Sequence, residues 1–249
     1  MTLDTAGQRF KMGVIIPSPN TTVEYDFTVM RPPGVSFHYG RMLVSQPSAA
    51  DNQSFEQLVE QVRVTTDTAV REVATTEPDH MVMGMSAETF GGGRAVNDDF
   101  VARVSALSGG LSVTTGAGAC EEAARILGVK KIALLTPFQP VADEHARAYF
   151  TEVGLDVVRV MGLKCSSATA IGKVTEEELR QVLLDLNGSD IDGIVQIGTN
   201  LPMLRLADEA ERWLDKPVIA INAATLWHAL RTCGFADQMQ GFGTLLREH

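Results

Sequence analysis

Apolar residues recur along this chain in two rhythms. Short runs rich in valine and isoleucine alternate with longer stretches whose apolar positions repeat every three to four residues. The first rhythm reads as buried strands and the second as amphipathic helices; their alternation predicts βα units and a parallel sheet. Strands are expected at about 12–17, 35–42, 80–85, 111–115, 131–136, 156–161, 193–198 and 217–221. Among the helices, 54–76 carries Phe55, Leu58, Val62 and Val70 at helical spacing. Residues 175–188 begin on a Thr175/Glu178 capping box and end at Asn187-Gly188. Residues 116–128, 203–215 and 224–234 follow the same grammar, the first closing on Gly128.

The pattern is written twice. IIPSPNTTVE (15–24) is echoed by LLTPFQPVADE (134–144), and FHYGRML (37–43) by VVRVMGL (157–163). MVMGMSAE (81–88) is echoed by IVQIGTNLP (194–202), and VTTGAGACEEAARILG (113–128) by VIAINAATLWHALRTCG (218–234). A repeat of this length means two similar halves rather than a solenoid. The expected fold is α/β: two pseudo-symmetric open parallel-sheet, Rossmann-like domains with the active site in the cleft between them. The expected division is residues 1–112 plus 223–249 for the first domain and 113–222 for the second.

Composition narrows the functional classes. The chain has 249 residues, enough for two modest cores, and a net charge of −10 without a Lys/Arg cluster. That argues against a nucleic-acid surface, though a few donors in a cleft can still hold a small anion. No run approaches the ~20 apolar residues of a membrane span, and MTLDTAGQRFKMG lacks the apolar core of a signal peptide. Cys120, Cys165 and Cys233 form no CxxC pair, which fits a reducing cytoplasm and speaks against a disulfide framework or zinc site.

In parallel sheets chemistry gathers on the loops that follow the strands. After the first strand stand Asn20, Thr21 and Thr22, readable as ligand-binding groups or as helix caps. After the third come Gly84, Met85, Ser86, Ala87 and Glu88; the matching loop of the second half is Gly198, Thr199, Asn200. Both can cradle a carboxylate or developing oxyanion. Glu88 is the one acid in the pair, either a general acid or base or a glutamate that suits a helix start. Arg41 could clamp a carboxylate or form a structural ion pair. His80, His145 and His228 read as structural. Cys165, beside Lys164, could be an activated thiol or an inert one. GAGACE lacks the third glycine of a dinucleotide fingerprint, and no phosphate-loop, zincin or nucleophile-elbow motif occurs.

VIIPSPNTTVE, HYGRM, TPFQP, GTNLP and KPVIAINAATLWHALRTCG, in that order, resemble the maleate cis-trans isomerase and arylmalonate decarboxylase group of the aspartate/glutamate racemase superfamily. The resemblance covers nearly the whole chain. It implies two pseudo-symmetric α/β domains, a small carboxylate substrate between them, no cofactor and no metal, and it admits a homo-oligomer. It implies substrate-binding roles for Asn20, Thr21, Met85, Phe138, Thr199, Asn200 and Arg41, and a pocket role for Ser86. Phe138 stands where the group usually has tyrosine. Gly84 and Gly198 stand where the superfamily carries its two cysteines. The expectation is therefore an isomerase or lyase that works without thiols, with proton transfer falling to Glu88 or Ser86. A hydrolase of a related carbonyl compound and a catalytically silent small-acid binder are the alternatives.

Overall fold

The computed structural model describes residues 4–249; the first three residues of the N-terminal stretch read above lie outside it. Two four-stranded sheets, all parallel, form the frame. The first takes β1 (Phe10–Pro17), β2 (Val35–Met42), β3 (His80–Met83) and β4 (Val113–Thr115) in the order β2-β1-β3-β4. The second takes β5 (Lys131–Thr136), β6 (Asp156–Gly162), β7 (Gly193–Gln196) and β8 (Val218–Ala220) in the order β6-β5-β7-β8. The two orders are the same walk taken twice, as the repeat predicts. The expected division put residue 113 in the second domain; the ladder places Val113–Thr115 on the edge of the first sheet.

Helices fill the crossovers: α1 (Thr22–Val29), α2 (Asn52–Ala74), α3 (Ala87–Phe90), α4 (Gly93–Leu107), α5 (Gly116–Ile126), α6 (Pro140–Glu152), α7 (Ala168–Ile171), α8 (Glu176–Leu186), α9 (Leu204–Leu214), α10 (Ile221–Thr232) and α11 (Thr244–Glu248). The 175–188 segment forms the capping box its sequence announces, Thr175 Oγ1 accepting from Glu178 N. Thr115 caps α5 in the same way through Gly118 N.

Alternation along β1 splits the core. Ile15 faces a cluster with Met42, Val70 and Met83 under α2, while Met12, Val14 and Ile16 face a larger cluster that runs on into the second lobe. The lobes therefore share one apolar interior. α10 packs against α5 and against α1, β3 and β4, so the last long helix returns to the first sheet. Among the described residues no helix is long and apolar enough to cross a membrane.

Candidate active site between the lobes

The carboxyl ends of β1, β3, β5 and β7 converge between the lobes, and their loops build a small buried chamber of about 60 Å³. From the first lobe it takes Asn20, Met85, Ser86 and Glu88; from the second, Phe138, Gly198, Thr199 and Asn200. Asn20, Ser86, Thr199 and Asn200 are all buried. Phe55 of α2 and Phe138 close one side, their rings tilted at a centroid distance of 5.3 Å.

Hydrogen bonds fix the polar wall. Asn20 Oδ1 accepts from Thr22 N and Val23 N, both at 3.0 Å, so its oxygen caps α1. That leaves Nδ2 aimed across the cleft, where it donates to Thr199 Oγ1 at 3.1 Å. Thr199 in turn donates to the Gly84 carbonyl at 3.1 Å. Capping and cleft-facing roles, open alternatives in the sequence, are thus held by opposite ends of one carboxamide. Asn200 is a clamp between lobes: its Oδ1 accepts from Thr21 N (3.0 Å) and Thr22 N (3.2 Å), and its Nδ2 donates to Ala168 O (2.9 Å). The Thr22 hydroxyl donates to the Asn200 carbonyl at 2.8 Å.

Ser86 opens α3 but makes no capping bond, which leaves its hydroxyl uncommitted to the helix. Glu88, two residues on, lines the chamber at its mouth. Removal from water pushes its carboxyl up to about 7, against a smaller opposing pull from its own backbone N–H and from Arg63. The residue as a whole keeps some contact with solvent while its carboxyl is desolvated.

At two glycines of these loops an added side chain would meet crowding. A Cβ on Gly84 would stand 2.7 Å from Ile16 Cγ2 and 3.1 Å from Val23 Cγ1. Gly198 has φ +98°, and a Cβ there would overlap the Pro137 ring.

Other expected site residues fall outside this chamber. Thr21 is exposed and contributes only its backbone N–H to Asn200. Arg41 is turned outward: it pairs with Glu24 and donates to the carbonyls of Ser18 and Asn20 (3.1 Å each), bracing the Asn20 loop from behind. Cys165 lines neither this chamber nor the wider cavity next to it, and burial raises its thiol pKa, the opposite of activation. His80 is a satisfied core histidine, bonded to Ser112 Oγ (2.6 Å) and Thr114 Oγ1 (2.9 Å) and pushed down to about 4 by burial. His145, read with it as structural, is instead exposed on α6 and lines the wider cavity. Among the described residues no group of three or more His, Cys, Asp or Glu is placed to hold a metal ion.

Two buried residues behind the chamber escaped sequence reading. Asn222 Nδ2 donates both to Asp26 Oδ2 (2.8 Å) and to the Thr199 carbonyl (2.9 Å). Asp26 is buried and raised to about 7 by desolvation, which outweighs the lowering by Asn222. A signal existed for each. Asn222 follows the eighth strand as the other polar residues follow theirs, and Asp26 shares a helix face with Val23 and Phe27.

A family model described as arylmalonate decarboxylase matches residues 12–246. The chain belongs to that family. Among curated relatives it is 28% identical to the maleate isomerase of Nocardia farcinica over 251 residues, covering 96% of each protein. It is 30% identical to the arylmalonate decarboxylase of Bordetella bronchiseptica over 142 residues, 56% of this chain and 59% of that one. Among solved structures, a serine-for-cysteine mutant of the Nocardia farcinica maleate cis-trans isomerase with a covalently bound succinylcysteine intermediate superposes with a TM-score of 0.86. Identity there is 25%, over 96% of this chain and 99% of that one. A maleate isomerase from Pseudomonas putida with maleate gives a TM-score of 0.87 at 23% identity, over 95% and 97% of the two chains, a likeness of fold. The two-lobed α/β architecture of the family is therefore the architecture of this chain.

Proposed function

We propose that this family member is a cofactor-independent isomerase or lyase acting on a small carboxylic acid, and that it works without a cysteine. The observation that carries the reading is Glu88: an acid poised near 7 at the mouth of a chamber whose wall offers neutral hydrogen-bonding groups. The substrate carboxylate would accept from the second hydrogen of Asn20 Nδ2 and from the Ser86 hydroxyl. Thr199 accepts from Asn20 and so fixes the direction of that amide rather than binding the acid itself. Met85 and Phe138 supply the apolar wall, and Asn200 holds the lobes in register.

The chemistry is a proton transfer at the carbon next to the carboxylate. In an isomerase acting on a β,γ-unsaturated acid, Glu88 removes that proton, the electron pair delocalises onto the bound oxygen, and protonated Glu88 returns the proton to the γ carbon on the same face, so the double bond moves next to the carboxylate. In a lyase the C–CO₂ bond breaks, its pair forms the same enolate-like oxyanion, and protonated Glu88 delivers the proton. The glycines at 84 and 198 stand, on the family resemblance, where relatives carry thiols. Their crowded surroundings support a chain adapted to having none.

The test is steady-state turnover and ligand binding with maleate-like and malonate-like acids, for the wild type and Glu88→Gln. The variant should bind and lose about 100-fold or more in kcat. Unchanged kcat in Glu88→Gln would overturn the assignment, and a wild type that binds acids but turns none over would make the chain a silent small-acid binder. The pH profile separates the two reactions. With Glu88 near 7, kcat should rise through neutrality if the carboxylate abstracts the proton and fall if the acid donates it.

A further inference from the structure

Beside the small chamber lies a second, larger space of about 710 Å³, bounded by α2, α3, α4 and α6. The two cavities share Phe55, Val59, Ala87 and Glu88, so Glu88 stands in the neck between them. We propose that the substrate is an acid with an extended, uncharged, aliphatic substituent: its acid head enters the small chamber and its tail lies between α2 and α4. This rests on the reading of the small chamber as an acid site.

Size comes first. At about 60 Å³ the small chamber is well below the several hundred Å³ of a site for a whole organic ligand, and suits an acid head. The outer space is in the range of cavities that take whole organic ligands. Shape comes second. α2 lines it with Glu56, Val59, Glu60 and Arg63, and α4 with Val96, Asp99, Phe100 and Arg103. Each set repeats at i, i+3, i+4, i+7, the spacing of one helix face. Two such faces normally close on each other along their length; here a cavity lies between these, and the helices meet only beyond it, where Arg103 reaches Asp67. Each runs over eight residues of helix, seven steps of 1.5 Å or about 10 Å, which suits a chain laid lengthwise.

Chemistry comes third. The middle of the groove is Val59, Val96 and Phe100, with Phe55 and Val141 toward the neck. Val96 is 45% exposed, so its side chain is open to a ligand lying in the groove. The cations on the rim are already paired, Arg63 with Glu60 at 3.1 Å and Arg103 with Asp67 at 3.6 Å. With both arginines engaged and the carboxylates of Glu56 and Asp99 also on the rim, a second anionic group is disfavoured, and the apolar floor of Val59, Val96 and Phe100 suits an uncharged tail.

The experiment is calorimetric binding of malonate, 2-butylmalonate and 2-octylmalonate to the full chain and to three variants: Asn20→Ala, Val96→Trp and Val96→Arg. In the wild type, Kd should fall at least tenfold from malonate to 2-octylmalonate; each buried methylene can add several-fold. That tail-dependent ratio should collapse toward one in Val96→Trp and Val96→Arg, which fill or charge the groove from an exposed position. Asn20→Ala should weaken all three acids alike. If all three acids bind equally in the wild type, or if both Val96 variants keep the ratio, the tail site is wrong. If Asn20→Ala, checked for folding by its melting curve, binds all three acids as well as the wild type does, the acid-site reading fails and takes the proposal with it.

Discussion

The two lobes share a strand order and differ in what their third-strand loops do. Counting from Gly84 and from Gly198, the fourth residue is Glu88 in one lobe and Pro202 in the other. The first loop runs straight into α3 and presents an acid and a free hydroxyl. The second keeps its backbone in a tight turn and spends Asn200 on backbone groups of both lobes. Duplication thus produced one loop that offers chemistry and one that holds geometry. On the function proposed above, such a site would transfer a proton from one side, unlike a site with matched acids on two faces.

The sharpest way to break this contrast is to remove the clamp. Asn200→Ala deletes the acceptor of two backbone N–H groups, the buried one of Thr22 and the part-buried one of Thr21, and the donor to Ala168 O. It should cost about 2–4 kcal/mol in urea unfolding, because each orphaned group carries its own desolvation penalty. A midpoint unchanged within error would mean the lobes are held by apolar packing alone.

Next in size is the buried acid behind the clamp. Asp26 is raised from 3.8 to about 7, so the folded state holds a proton the unfolded state has released between those values. That contribution is full below about 4 and is lost as pH rises through 7. Asp26→Asn keeps an acceptor for Asn222 without that loss. Relative to wild type it should gain on the order of 2–4 kcal/mol between pH 4 and pH 8, read from denaturation midpoints. His80, lowered to about 4, slopes the other way, its stabilisation fading as pH falls from 6.5, but it is common to both proteins and cancels in the difference. A difference that does not change with pH would remove the buried charge from the account.

Smaller again are the glycines. Gly198→Ala meets both a positive φ and the Pro137 ring and should destabilise by about 1–3 kcal/mol. Gly84→Ala has ordinary backbone angles and only side-chain neighbours within 3.1 Å, so it should cost less. The reverse order in thermal melts would mean the second loop is looser than its hydrogen bonds indicate. Smallest is Ser86→Ala. Its hydroxyl makes no capping bond, so stability should change by less than about 0.5 kcal/mol while acid affinity falls. A large loss of stability would show that Ser86 is structural.

Much of this was legible in the chain. Eight apolar runs became eight strands within a few residues of their expected limits, and the written repeat became two sheets of identical order. The strand-end rule found Asn20, Ser86, Glu88, Thr199 and Asn200 because βα topology carries such positions to one edge. Direction was harder. Arg41 lies on β2, an edge strand of its sheet, and its long side chain reached an outward partner, Glu24. Helix spacing on α2 marked Phe55, Leu58 and Val62 as inward, yet their inward face is a cavity wall as well as core.

What the sequence determined by itself was periodicity, and with it the elements, their order and the loops on which polar groups stand. Those follow from local sterics and from which faces must leave water. What tertiary structure decided was the environment of each group: that Glu88 loses enough water to titrate near neutrality, that Asn20 splits its carboxamide between a helix and a threonine 179 residues away, and that α2 and α4 leave a gap between them. Those depend on where distant segments meet, because desolvation and hydrogen-bond geometry are properties of a place and not of a residue.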